Sequence, residues 1–81
     1  MSTPNTDAAR YVLAHRDLFN ADWRDGNAYH MGDESPVWTD FDAACAASDN
    51  VDETCGWETI VVELAPGVAP GSGSKPRIVY G

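Results

Sequence analysis

Eighty-one residues with a formal charge of -8, an isoelectric point near 4.3 and five Lys and Arg against thirteen Asp and Glu describe one small acidic domain, which nucleic acid and anionic lipid would repel. A chain this short buries a fraction of its surface near the lower end for independent domains, so the core is modest and an enclosed substrate pocket has little room. No apolar run approaches the ~20 residues of a membrane span, and the first ten residues lack the basic and apolar regions of a signal peptide. We therefore expect a single compact domain over residues 1–81 in the cytoplasm, with no cofactor and no metal.

In chain order, the first expected element is a helix. Thr3-Pro4 or Asn5/Thr6 supplies its start and Asp7 its first turn. At ~100° per residue, Ala8, Tyr11, Val12, His15, Leu18 and Phe19 share a face, giving about four turns that end between Asp22 and Gly26. Short β-like runs follow at 28–31 and 37–38, separated by Gly32-Asp33-Glu34-Ser35-Pro36, and read as a hairpin with an acidic tip. Thr39 begins a second helix in a capping-box pattern with Asp42, and Phe41, Ala44, Cys45 and Ser48 form its narrow apolar stripe. That helix weakens near Asn50 or continues to the stop at Gly56.

Residues 57–64 are the clearest strand, with Ile60-Val61-Val62 at the centre. The unbroken apolar run requires cover on both faces or a central place in a sheet. Residues 65–76 are a Pro/Gly/Ser loop, flexible by composition, and 77–80 return as an edge strand. The fold class expected from this order is α+β: a small, mostly antiparallel sheet of three to four strands with two helices on one face.

No motif carries catalysis. His15, His30, Cys45 and Cys55 are the residue types of a zinc site, but no C-x₂₋₄-C or H-x₃₋₅-H pair is present to nucleate one. Cys45 sits on the apolar stripe as a small hydrophobe, and Cys55 lies among Asp52, Glu53 and Glu58, a setting that opposes thiolate formation. The acidic pairs match no EF-hand. Gly71-Ser72-Gly73-Ser74 follows a strand but opens no helix, so it makes no phosphate cradle.

The distribution of charge is the distinctive feature. Residues 25–74 contain ten carboxylates and no Lys or Arg; all five bases lie outside. A helix from Asp40 to Glu53 would carry five carboxylates over thirteen residue steps, ~4 Å per charge, close to the one per ~3.4 Å of a single nucleic-acid strand. In size, charge and lack of a catalytic motif the chain resembles the small acidic inhibitors made by phages and mobile elements, including anti-CRISPR and anti-restriction proteins. The resemblance is one of type over the whole chain and transfers no functional residues.

It implies a nucleic-acid mimic in the host cell cytoplasm, a binding protein and not an enzyme, that occupies the basic nucleic-acid-binding site of a host defence protein. Asp33, Glu34, Asp40, Asp42, Asp49, Asp52, Glu53 and Glu58 are the expected phosphate substitutes, with Trp38 or Trp57 as aromatic anchor. The alternative is a small structural or regulatory module, homodimeric or virion-associated, whose acidity serves only solubility.

Overall fold

The computed structural model describes residues 9–81; the expected start of the first helix, at residues 3–8, lies outside them. The described chain runs β1 (Arg10–His15), α1 (Arg16–Ala21), two 3-10 turns (Gly26–Ala28 and Gly32–Glu34), α2 (Phe41–Cys55), β2 (Thr59–Leu64) and β3 (Arg77–Tyr80). The strands form one antiparallel sheet in the order β1-β2-β3, so the class is α+β as expected and β2 is central.

Two elements differ from the sequence reading. The long first helix is instead a strand followed by a helix of six residues. Tyr11 to Ala14 is a run of four apolar residues, and a helix would have turned Leu13 away from the apolar face. As a strand it buries Val12 and Ala14 on one side and Leu13 on the other, all at 1% exposure or less, while β2 takes up its backbone groups from Arg10↔Leu64 to His15↔Thr59. Tertiary pairing overrides a periodicity that fitted both structures.

The expected hairpin is also absent. Its two arms pair not with each other but with the outer edge of β1, through single bridges Ala14↔Tyr29 and Tyr11↔Trp38. Trp38 exchanges both backbone bonds with Tyr11 at 2.8 Å, and the His30 N–H donates to the Leu13 carbonyl at 2.9 Å. The intervening residues are looped out, so the segment works as a broken fourth strand that covers an otherwise open edge.

The two helices take opposite faces of the sheet, where one face had been expected for both. Phe19 of α1 packs with Val12, Ala14, Ile60, Val62 and Leu64, together with Ala28 and Tyr29. On the other face α2 sets Ala44 against Leu13 and Val61, flanked by Tyr11, Trp38, Val51 and Val79. Alternation along each strand imposes this division. β2 is thus covered on both sides as well as central, and Thr59 to Val62 are all buried.

Between Val61 and Val62 the pairing with β3 slips: Val61 meets Tyr80 and Val62 meets Ile78, leaving Val79 as a bulge. Both Val79 and Tyr80 then reach the α2 side, Val79 in its core and Tyr80 in a hydrogen bond to Asp49. The loop of residues 65–76 folds back over the α1 side. The Arg10 guanidinium donates to the carbonyls of Ala65 and Val68, and the Lys75 ammonium lies 5.2 Å from the Phe19 ring centre.

Candidate functional site

The acidic helix starts one residue later than the capping-box reading placed it. Asp40, not Thr39, is the N-cap: its carboxylate accepts the Ala43 N–H at 3.1 Å. The helix then runs without a break to Cys55, and Gly56 ends it in the left-handed conformation at φ 71, donating its N–H to the Asp52 carbonyl. Ala44 and Ser48 are its buried residues. Phe41, on the same side, is partly exposed and lies edge-on to Tyr11 at 5.6 Å.

The carboxylates of α2 fall into two sets. Asp52 points back at the sheet, where its Oδ1 accepts the Thr59 backbone N–H at 2.8 Å and the Thr59 hydroxyl at 2.7 Å. With its proton given to that carboxylate, the Thr59 oxygen accepts from the buried Ser48 hydroxyl at 2.6 Å. This relay satisfies Ser48 and Thr59, the two buried polar residues of the described core, and fastens α2 to β2. Asp40 is likewise occupied as the cap.

Asp42, Asp49 and Glu53, at i, i+7 and i+11, lie within ~40° of one another and ~60–100° around the helix from Asp52, and all three are exposed. Asp49 accepts the Tyr80 hydroxyl at 2.9 and 3.0 Å. That hydrogen bond, then the Asp49 charge, raises the Tyr80 pKa above its ordinary value. The half-buried Cys45 thiol is pushed up by burial and by Asp42, Asp49 and Asp40. Cys45 and Cys55 are both free thiols.

None of the α2 carboxylates has a basic partner among the described residues, whose two ion pairs are Arg16–Glu58 at 3.6 Å and Arg77–Glu63 at 2.9 Å. The outer stripe therefore presents three charges over ~16 Å of helix, roughly one per 5–6 Å. That is roughly 70% of the density expected from the sequence, because Asp40 is engaged as the N-cap and Asp52 by Thr59.

The other expected contact residues scatter. Asp33 and Glu34 are in the second 3-10 turn, with Glu34 exposed. Trp38 is partly buried against the α2-side core. Trp57 is 47% exposed, just beyond the end of α2, and Glu58 follows it.

The sequence reading missed what surrounds Trp57. The His15, His30 and Trp57 rings meet edge to face, with centroids 4.8 Å apart for His15–Trp57 and 5.7 Å for the other two pairs. Burial, followed by the proximity of His30, holds the His15 pKa below its ordinary 6.5. The His30 Nδ1 is buried without a hydrogen-bond partner among the described residues. Beside this cluster a groove of about 560 Å³ runs from His15 and Asp17 to Gly56 and Glu58. A signal for the cluster existed only once His15 was placed in a strand opposite Thr59, two residues from Trp57.

Among the described residues no three His, Cys, Asp or Glu side chains gather as metal ligands, and no helix is long and apolar enough to cross a membrane. No protein-family model, curated protein or solved structure matches the chain.

Proposed function

We propose that this chain is a binding protein that sets the outer face of α2 against a basic nucleic-acid-binding surface of another protein, acting as an acidic decoy of the kind found among phage-type inhibitors of host defence. The observation that carries the reading is the stripe Asp42, Asp49 and Glu53: exposed, aligned, and without a Lys or Arg partner among the described residues. Unrelieved like charges on a helix are destabilising, and a cationic partner would remove that penalty. At roughly one charge per 5–6 Å the stripe matches a few Lys and Arg side chains and not a length of nucleic-acid backbone.

The test is displacement. Purified chain is added to CRISPR and restriction effectors bound to labelled DNA, at low and at high salt. Release of DNA at low salt, lost at high salt and absent with the triple variant Asp42→Lys, Asp49→Lys and Glu53→Lys, supports the decoy. An unaffected DNA complex, or equal release by the triple variant, refutes it.

The homodimer alternative draws on Ile78 and Tyr80, which expose 40% and 36% of their surface on the edge strand β3. That strand is only four residues long, follows Lys75-Pro76 and is bulged at Val79. Each of these features discourages edge-to-edge pairing. Light scattering separates the readings, since a stable dimer indifferent to the triple substitution favours the alternative.

A further inference from the structure

We propose that the groove at the C-terminal end of α2, beside Trp57, receives a guanidinium or ammonium side chain of the basic partner. This rests on the decoy reading and gives it an anchor point. Trp57 lines the groove and, although packed against two imidazoles, leaves about half its surface exposed, and an indole is the best aromatic surface for a cation.

The electrostatics of the groove favour the same occupant. α2 ends here with no basic residue in its last turn, so the negative end of its dipole is uncompensated. Glu53 lies in that turn, and Asp17 and Glu58 line the groove itself. His15, whose charged form is opposed by burial and by His30, adds no positive charge at neutral pH.

Arg16 is the one base on the lining, and it holds Glu58 only at 3.6 Å, with both side chains substantially exposed. So loose and exposed a pair is worth little and is displaced easily. The outer stripe of α2 ends at Glu53, in the last turn of the helix, and Gly56, which caps that turn, lines the groove. An apolar side chain would also fit the groove by shape, but the surrounding carboxylates and helix terminus select a cation.

The experiment uses the full chain, isotopically labelled, titrated with N-acetyl-arginine amide and separately with the citrulline amide, its neutral near-isostere. The Trp57 indole N–H resonance is assigned through Trp57→Phe. A saturable shift at Trp57 and Gly56 is expected with the arginine compound, and one about tenfold weaker with citrulline. Trp57→Leu, read at Gly56, should weaken binding about fivefold, and Arg16→Ala should tighten it. Equal response to both compounds, or no response at Trp57, overturns the site. DNA displacement that persists without a Trp57 response leaves the decoy standing and removes only this anchor. Arginine binding at Trp57 without displacement supports the cation site and removes the decoy.

Discussion

Asp52 and Glu53 are adjacent on α2 and carry the same charge, yet the helix turns one toward Thr59 and the other into solvent. Asp52 accepts two hydrogen bonds and completes the relay through Thr59 to Ser48, so its charge is spent within the fold. Glu53 has no basic partner among the described residues and joins Asp42 and Asp49 on the outer stripe. The lesson is that acidic composition alone overstates the surface available to a partner: a carboxylate near a buried hydroxyl or an open helix N-terminus belongs to the architecture first.

The largest effect expected from breaking this comparison is that of Asp52→Ala. It removes a charge-assisted acceptor from the Thr59 N–H and leaves the Thr59 hydroxyl only the longer bond to the Ser48 carbonyl at 3.2 Å, which should destabilise by about 2–3 kcal/mol. For a domain of this length that is roughly 10–20 °C in melting temperature. Asp52→Asn keeps the acceptor oxygen and should lose less. Calorimetry of both variants beside Glu53→Ala, expected within about 0.5 kcal/mol of the parent, measures the difference between the two sides of the helix. Equal melting temperatures for Asp52→Ala and Glu53→Ala would erase the distinction.

How much of this was legible beforehand depends on whether the signal was local. The central strand β2 and the edge strand β3 rest on β-branched runs, signals contained within a few residues, and appear where the sequence puts them except that β2 starts at Thr59 and not at 57; of the two ends offered for α2, near Asn50 or at Gly56, the structure has the second. β1 does not, because Tyr11, Val12 and His15 fit a helical face as well as a strand; the residue that decides is Leu13, whose burial the helical reading left unexplained. Of the β-like runs at 28–31 and 37–38 only Tyr29 and Trp38 pair, Ala28 lying in a 3-10 turn and Met31 in the left-handed region, and their partner is β1; a strand assigned as helix offers no edge to pair with.

The site divides in the same way. That α2 is acidic and without bases was plain, while the loss of Asp52 to Thr59 needed the register of β2. A partial signal was present, since four residues after Ser48 Asp52 lies on the buried side of the helical wheel.

A smaller effect, opposite in sign, is expected on the outer side. Glu53 sits near the C-terminal end of α2, where the helix dipole disfavours a negative charge, and four residues after Asp49, where like charges repel. Glu53→Lys reverses both terms and should stabilise the chain by about 0.5–1 kcal/mol, a few degrees in melting temperature. The same substitution should weaken DNA displacement. Gain of stability with loss of binding would mark Glu53 as kept for a partner at the expense of the fold; loss of both would place it with Asp52.

The last effect extends the contrast between inner and outer groups to a change of pH. The outer carboxylates are exposed, whereas the fold opposes the charging of His15. Burial first, and His30 second, lower its pKa from 6.5; the groups beside it are Trp57 and His30, with Arg16, Asp17 and Glu58 around the groove. Because the folded pKa is the lower one, the unfolded chain binds more protons between that value and 6.5. Stability from neutral His15 is therefore complete above pH 6.5 and declines as pH falls through the folded pKa. Urea midpoints should drop between pH 7.5 and 5.5 in the parent chain and drop less in His15→Phe, which keeps an aromatic ring against Trp57 without a titrating group. Identical slopes in the two proteins would show that His15 is charged as readily in the folded chain as in the unfolded one, and that the ring cluster is held by packing alone.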